Sequence, residues 1–311
     1  MKKARLVMLL ALLFAGLNVF ADSDGLFVKS DLFGNLGIRE KGAVLVVHFG
    51  TSFDDTRRLT IDAINARMKE EFPGIEVWEA WTSRMILRKL ERERGIVRMN
   101  PTEALIKLHE EGYTHVLVQS TNIIEGTEMK ELRREVESLS LNFKDIRMGN
   151  ALLYAPEDYK DVVMALTTVI DQEVKNGQKV LVGHGTPDPA TASYAMFDYM
   201  LKSEGFSNYH VGTIEGYPAY EDAVRLLKKG TSKVVTLAPM MFVAGDHARN
   251  DIAGEWKDRL EKEGYKVKLY LKGLGENVAI QQLFVKHARF AAEHKLVDMS
   301  AKKARYKKGK V

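Results

Sequence analysis

From Gly42 to His294 the chain alternates short apolar runs with longer amphipathic stretches. The apolar runs predict strands at Ala43–Thr51 (running out into a loop), Ile75–Trp81, Val116–Ser120 and Ile146–Leu153. Helical spacing appears at Arg57–Phe72, where Leu59, Ile61, Ile64 and Met68 share one face. Pro73-Gly74 stops that helix. Further helices are predicted at Ile86–Arg94, at Pro101–Glu111 with Thr102 as cap and Gly112 as stop, at Glu128–Ser140 and at Pro156–Lys175. The second half repeats the order. Strands are expected at Lys179–Val182, Tyr209–Ile214, Lys233–Ala238 and Val267–Leu271. Helices are expected at Ala190–Glu204, Tyr220–Lys228, Ala248–Glu263 and Asn277–His294. Strict alternation of this kind implies parallel sheets with helices on both faces.

The two halves also match each other. His48-Phe49-Gly50-Thr51 follows one apolar run, and His184-Gly185-Thr186 follows the other with one residue fewer. Ile124-Glu125-Gly126-Thr127-Glu128 stands where Val243-Ala244-Gly245-Asp246-His247 does. The reading is an α/β fold of two similar Rossmann-like lobes, each a four-stranded parallel sheet flanked by helices. The cleft between such halves is where a ligand is expected.

Chemistry concentrates at the strand ends of the second half. Val180–Val182 runs into Gly183-His184-Gly185, where the missing side chains allow a sharp turn, and Pro187-Asp188 marks a loop. Open α/β sheets present ligands at that end of a strand. Glu215 and His247 close the next two strands, 31 and 32 residues further on. That is about one strand-helix unit each, so the three side chains could converge. Two imidazoles and a carboxylate suit a first-row divalent metal with a position left open.

Composition changes this picture in two places. At 45% hydrophobic and 28% charged, 311 residues are ordinary for a globular chain, and the absence of cysteine excludes thiolate ligation, disulfides and a cysteine nucleophile. The ends are unusual. Lys2, Lys3 and Arg5 precede an apolar stretch, Leu6–Leu17, and Val19-Phe20-Ala21 offers a cleavage site. Residues 1–21 therefore read as a cleaved export signal, with an uncleaved anchor as the alternative, and the expected location is periplasmic. The tail from residue 298 carries six cations, at Lys302, Lys303, Arg305, Lys307, Lys308 and Lys310. With those nine basic residues set aside the formal +4 becomes −5, which argues against nucleic acid as a partner. The tail reads as a solvated end, or as a contact for anionic headgroups at a membrane surface. The division expected is arm 22–41, first lobe 42–175, second lobe 176–297 with the metal site, and tail 298–311.

Residues Val47-His48-Phe49-Gly50-Thr51-Ser52, Gly183-His184-Gly185-Thr186, Glu215-Gly216-Tyr217-Pro218 and Gly245-Asp246-His247-Ala248-Arg249-Asn250-Asp251, in this order, carry a resemblance. The chain resembles the anaerobic cobalt chelatases that insert Co2+ into sirohydrochlorin, the class II chelatases related in fold to ferrochelatase. With its leader it is similar to their exported branch. The resemblance spans about residues 42 to 295. It implies that His184 and His247 bind Co2+ (Fe2+ and Ni2+ being alternatives) and that Glu215 completes the set or takes the two departing pyrrole protons. It implies that His48, Ser52 and Met241 line the tetrapyrrole site, with Phe49, Phe53, Trp81, Met240 and Phe242 as candidate ring contacts. The substrate carboxylates would meet Arg57, Arg58, Arg84 and Arg249. Cobalt is then substrate, no organic cofactor is required, haem has no assignable residue, and a homo-oligomer is expected. His109, His115, His210, His287 and His294 fall away from the cleft. The rival reading is a periplasmic carrier of metal, haem or another tetrapyrrole that feeds a transporter. A metal-assisted hydrolase is a third.

Overall fold

The computed structural model describes residues 27–298 together with 300, 303 and 304. The expected leader and nearly all of the basic tail lie outside the described residues. The chain divides into a body, residues 31–293, and a small terminal unit made from both ends.

In the body, β2 (Gly42–His48), β3 (Glu76–Trp81), β4 (His115–Ser120) and β5 (Asp145–Met148) form a parallel sheet in the order β3-β2-β4-β5. Helices α1 (Asp54–Glu71), α2 (Arg84–Arg94), α3 (Pro101–Glu110) and α4 (Thr127–Leu139) connect them. After α5 (Pro156–Glu173) the pattern recurs as β6 (Gln178–Gly185), α6 (Ala192–Ser203), β7 (Tyr209–Glu215), α7 (Tyr220–Leu227), β8 (Val234–Met240), α8 (Lys257–Lys262) and β9 (Lys266–Leu269). The second sheet is also wholly parallel, ordered β7-β6-β8-β9. The first strand of each half is central in its sheet. Ala43–Val47 and Val180–Val182 are at most 1% exposed, because a parallel strand covered on both faces has no solvent side. That is why they read as unbroken apolar runs.

Several boundaries differ from the sequence reading, each for a physical reason. The run Ile146–Leu153 is a strand only to Met148. Beyond it the amides of Leu152 and Leu153 donate to the carbonyls of Asn122 and Ile123 in a loop, at 3.0 and 2.8 Å. The cap of α3 is Asn100, not Thr102: its side chain accepts from the Glu103 amide while Glu103 reaches back to the Asn100 amide. The stretch after β8 is a π-helix over Ala248–Trp256 before α8 begins. Ala248, Ile252 and Trp256 are all buried, and a helix closing i→i+5 bonds turns slowly enough to keep residues four apart on one face.

The last helix, α9 (Val278–Glu293), belongs by sequence order to the second lobe. It packs instead on the first, against α1, β4 and β5. Buried Arg147 on β5 donates to the carbonyls of Ala291 and Ala292 at its end. Within the expected arm Leu32 joins the core of the body, buried and with its amide donating to the Ala292 carbonyl at 2.8 Å. His294 leaves the helix. With β10 (His294–Leu296) it pairs antiparallel to β1 (Phe27–Lys29), and this ribbon is the terminal unit. Among the described residues no helix is long and apolar enough to cross a membrane.

Candidate active site at the strand tips

The carboxyl ends of β2, β4, β6, β7 and β8 surround one cavity of about 540 Å³. The geometry of the β6 tip depends on two glycines. Gly183 faces the ring of Tyr194, which occupies the place of any Cβ. Gly185 has φ +90°, and the carbonyl of Glu215 stands where its Cβ would be. The strand therefore continues through Gly185, past the expected turn at Gly183, and His184 reaches the cavity wall.

His184 and His247 meet there. Their ring centroids are 4.7 Å apart, with planes at 78°. Each uses its Nδ1 elsewhere. His184 Nδ1 donates to the Gly185 carbonyl at 3.0 Å, and His247 Nδ1 donates to Asp251 Oδ2 at 2.7 Å. Bonding at Nδ1 sets the tautomer and leaves Nε2 as the lone-pair nitrogen of each ring. Both rings are half-buried. Glu215, exposed at the end of β7, lines the same cavity. Among the described residues the three do not close into a ligand cluster: the imidazoles are in contact, and the carboxylate waits on the adjoining strand tip.

The other candidates separate clearly. His48 lines the cavity but is only 1% exposed. Its Nε2 bonds Asn65 Oδ1 and its Nδ1 bonds Thr121 Oγ1, both at 3.1 Å. Burial holds its pKa down at about 4, against the opposing hydrogen bond to Asn65 Oδ1, so it is a neutral wall residue with no free nitrogen. Met241, Phe49, Met240 and Phe242 also line the cavity, whereas Ser52, Phe53 and Trp81 do not. Trp81 is fully buried core beneath the Arg98 guanidinium.

None of the four arginines lines the cavity. Arg57 pairs with Asp62 at 3.2 Å, and Arg58 and Arg84 are exposed. Arg249 stacks on the Phe53 ring, 3.8 Å from its centroid, and pairs with Asp55. Among the described lining residues there is no lysine or arginine at all.

Glu128 and Asp251 bear on the site without having been candidates in the sequence reading. Glu128 lines the cavity from the start of α4. The internal repeat placed it opposite His247, which was the available signal. Asp251 needed the structure, because its use depends on the π-helix that carries it.

Solved structures place this architecture in a class. The body is similar to SirB from Bacillus subtilis with Fe3+, with a TM-score of 0.59 at 15% identity over 81% of this chain and 96% of that one. A SirB from Bacillus subtilis subspecies spizizenii in complex with cobalt gives 0.53 at 14% identity, covering 81% and 96%. At such identities the likeness is one of fold, that of the two-lobed α/β chelatases. Sequence then narrows the class. The family model for cobalt chelatase (CbiK) matches residues 42–293, and the chain belongs to that family. It is 37% identical over 268 residues, 85% of this chain and 99% of the relative, to sirohydrochlorin cobaltochelatase of Salmonella typhimurium. It is 31% identical over 260 residues, 81% and 91%, to sirohydrochlorin cobaltochelatase CbiKC of Nitratidesulfovibrio vulgaris.

Proposed function

We propose that the protein inserts Co2+ into sirohydrochlorin, exchanging the metal for two pyrrole protons. The observation that carries the reading is the imidazole pair. His184 and His247 face one cavity with each Nδ1 engaged and each Nε2 available. Cobalt is a substrate here, delivered through these two nitrogens. The carbonyl of Gly185 and the carboxylate of Asp251 hold the rings in place, and a partner on Nδ1 raises the basicity of Nε2.

The largely apolar wall, including Ile86, Ile123, Ile124, Met240, Met241 and Phe242, accepts the faces of a macrocycle. The metal displaces two N–H protons, so a base must lie within reach of the ring. Glu215 fills that role from β7, completing the metal's ligand set as the cation arrives. Glu128 puts a second carboxylate on the wall contributed by α4.

The expected leader supports export to the periplasm, and the six cations of the tail support a contact with an anionic membrane surface. Assembly into a homo-oligomer belongs to the same proposal. The leader also favours a second reading, a periplasmic tetrapyrrole or metal carrier that supplies a transporter. Turnover separates the two. Mature protein mixed anaerobically with sirohydrochlorin and excess Co2+ should give the metallated spectrum over many equivalents, and conversion that stops at one equivalent would establish the carrier.

A further inference from the structure

We infer that Lys130 and Arg249 receive the carboxylates of the macrocycle at two edges of the cavity, each held in readiness by an aspartate of the other lobe that the substrate displaces. This rests on the chelatase reading for its substrate and goes beyond it in assigning the acid-recognition residues.

Sirohydrochlorin is a polycarboxylate, yet the described lining offers it no cation and three acids, Glu128, Glu215 and Asp246. Burying a carboxylate unpaired is costly, so its acid groups must reach the rim. There, two cations cross from one lobe to the other. Lys130 Nζ of α4 meets Asp188 Oδ2, beyond β6, at 2.6 Å. Arg249 Nη2, beyond β8, meets Asp55 Oδ2 of α1 at 3.2 Å. By contrast Arg57, Arg94 and Arg133 pair within their own lobe, with Asp62, Asp54 and Glu125.

The two cations hold matching places in the internal repeat. Lys130 lies four residues past Gly126, and Arg249 four past Gly245. Gly126 faces Thr186 Oγ1 and Gly245 faces Thr51 Oγ1, each with 3.6 Å between the oxygen and the place of a Cβ. Those threonines precede the aspartates, Asp188 by two residues and Asp55 by four. Thr51, Gly126, Thr186, Pro187, Gly245 and His247 all line the cavity, so each cation stands within a few residues of the wall without being part of it. The Phe53 ring under the guanidinium keeps Arg249 in its plane. An exposed ion pair is worth little, so exchanging an aspartate for a substrate carboxylate is nearly free, whereas a cavity without such partners would repel the acid groups.

The test is a titration of metal-free sirohydrochlorin, without cobalt, onto wild type and four variants: Lys130→Gln, Arg249→Gln, Asp188→Asn and Asp55→Asn. The Asp188 side chain also accepts from the Ala190 amide at 2.8 Å, and asparagine keeps that bond. Loss of either cation should weaken binding about 5- to 10-fold. Loss of either aspartate should leave binding unchanged or tighten it, since a competitor is gone. If the pairs only brace the lobes together, both members of a pair will weaken binding alike. That result, or an unchanged Kd in the two cation variants, overturns the inference. A wild type that binds the ring but never inserts cobalt would refute the chelatase reading alone, and one that inserts cobalt with a Kd indifferent to Lys130 and Arg249 would refute this inference alone.

Discussion

His48 and His184 occupy the same position in the two halves of the molecule, each at the tip of the central strand of its sheet and each followed by a left-handed glycine, Gly50 and Gly185. Their surroundings make them different chemical groups. His48 is buried with both nitrogens bonded, and its ring stacks on Phe242 with centroids 5.9 Å apart. His184 is half-buried, bonded at Nδ1 alone, and sits edge-on to a second imidazole. The partners set the difference. Asn65 and Thr121 surround one ring, while the other has only the Gly185 carbonyl and the open cavity. One half has spent its histidine on structure, and the other has kept a lone pair for a cation.

The comparison can be broken by exchanging the consequences of each residue. His184→Ala should lower cobalt insertion by roughly three orders of magnitude or more while the thermal midpoint stays close to wild type, because the ring it removes bonds only a neighbouring carbonyl. Steady-state insertion rates beside a melting curve check this, and near-normal activity in the variant would remove His184 from the site. Asp251→Ala should weaken cobalt binding by about 10- to 100-fold by freeing the His247 ring. Asp251→Asn, which keeps an acceptor for Nδ1–H, should restore much of that loss, as isothermal titration with Co2+ would show.

His48→Ala should behave in the opposite sense. It removes one hydrogen-bond partner from each of Asn65 and Thr121 and leaves a cavity where a fully buried ring stood, so roughly 2–4 kcal/mol of stability should be lost. Denaturant unfolding measures that loss, and metal affinity in the folded variant should change little. A large loss of cobalt affinity with stability intact would erase the distinction between the two tips.

A further effect is one of pH. Burial depresses both His48 and His210 to about 4 from an ordinary 6.5. Between these values the unfolded chain takes up protons that the folded chain refuses. Stability should therefore decline as pH falls from 6.5 toward 4. Unfolding midpoints across that window test the sign, and the slope should be shallower in His48→Gln, where one of the two imidazoles is gone.

Much of the architecture was legible because its causes are local. Central strands of a parallel sheet are buried on both faces and must read as apolar runs, and the interval between strand tips follows from the length of one strand-helix unit. That is how spacing alone brought His184 and His247 into the same neighbourhood. Three features depend on what packs where, and no local pattern carries them. Helix α9 crosses back to the first sheet because its buried face fits α1 and β4. Gly185 ends β6 as it does because the Glu215 carbonyl occupies the place of a side chain. The arginines were judged by their distance in sequence from the tips, but an arginine follows its counter-ion: Arg57 turned to Asp62 inside its own lobe, while Arg249 crosses to Asp55 at the rim. Glu128 is an intermediate case, visible in the repeat once His247 is known to matter.

The most direct test of the account is multiple-turnover cobalt insertion by the mature protein under anaerobic conditions, followed by visible absorption in wild type and Glu215→Ala. The account predicts many ring equivalents metallated per protein and a slowing of about 100-fold in the variant. Conversion that ends at one equivalent, or a Glu215→Ala protein as fast as wild type, would contradict it.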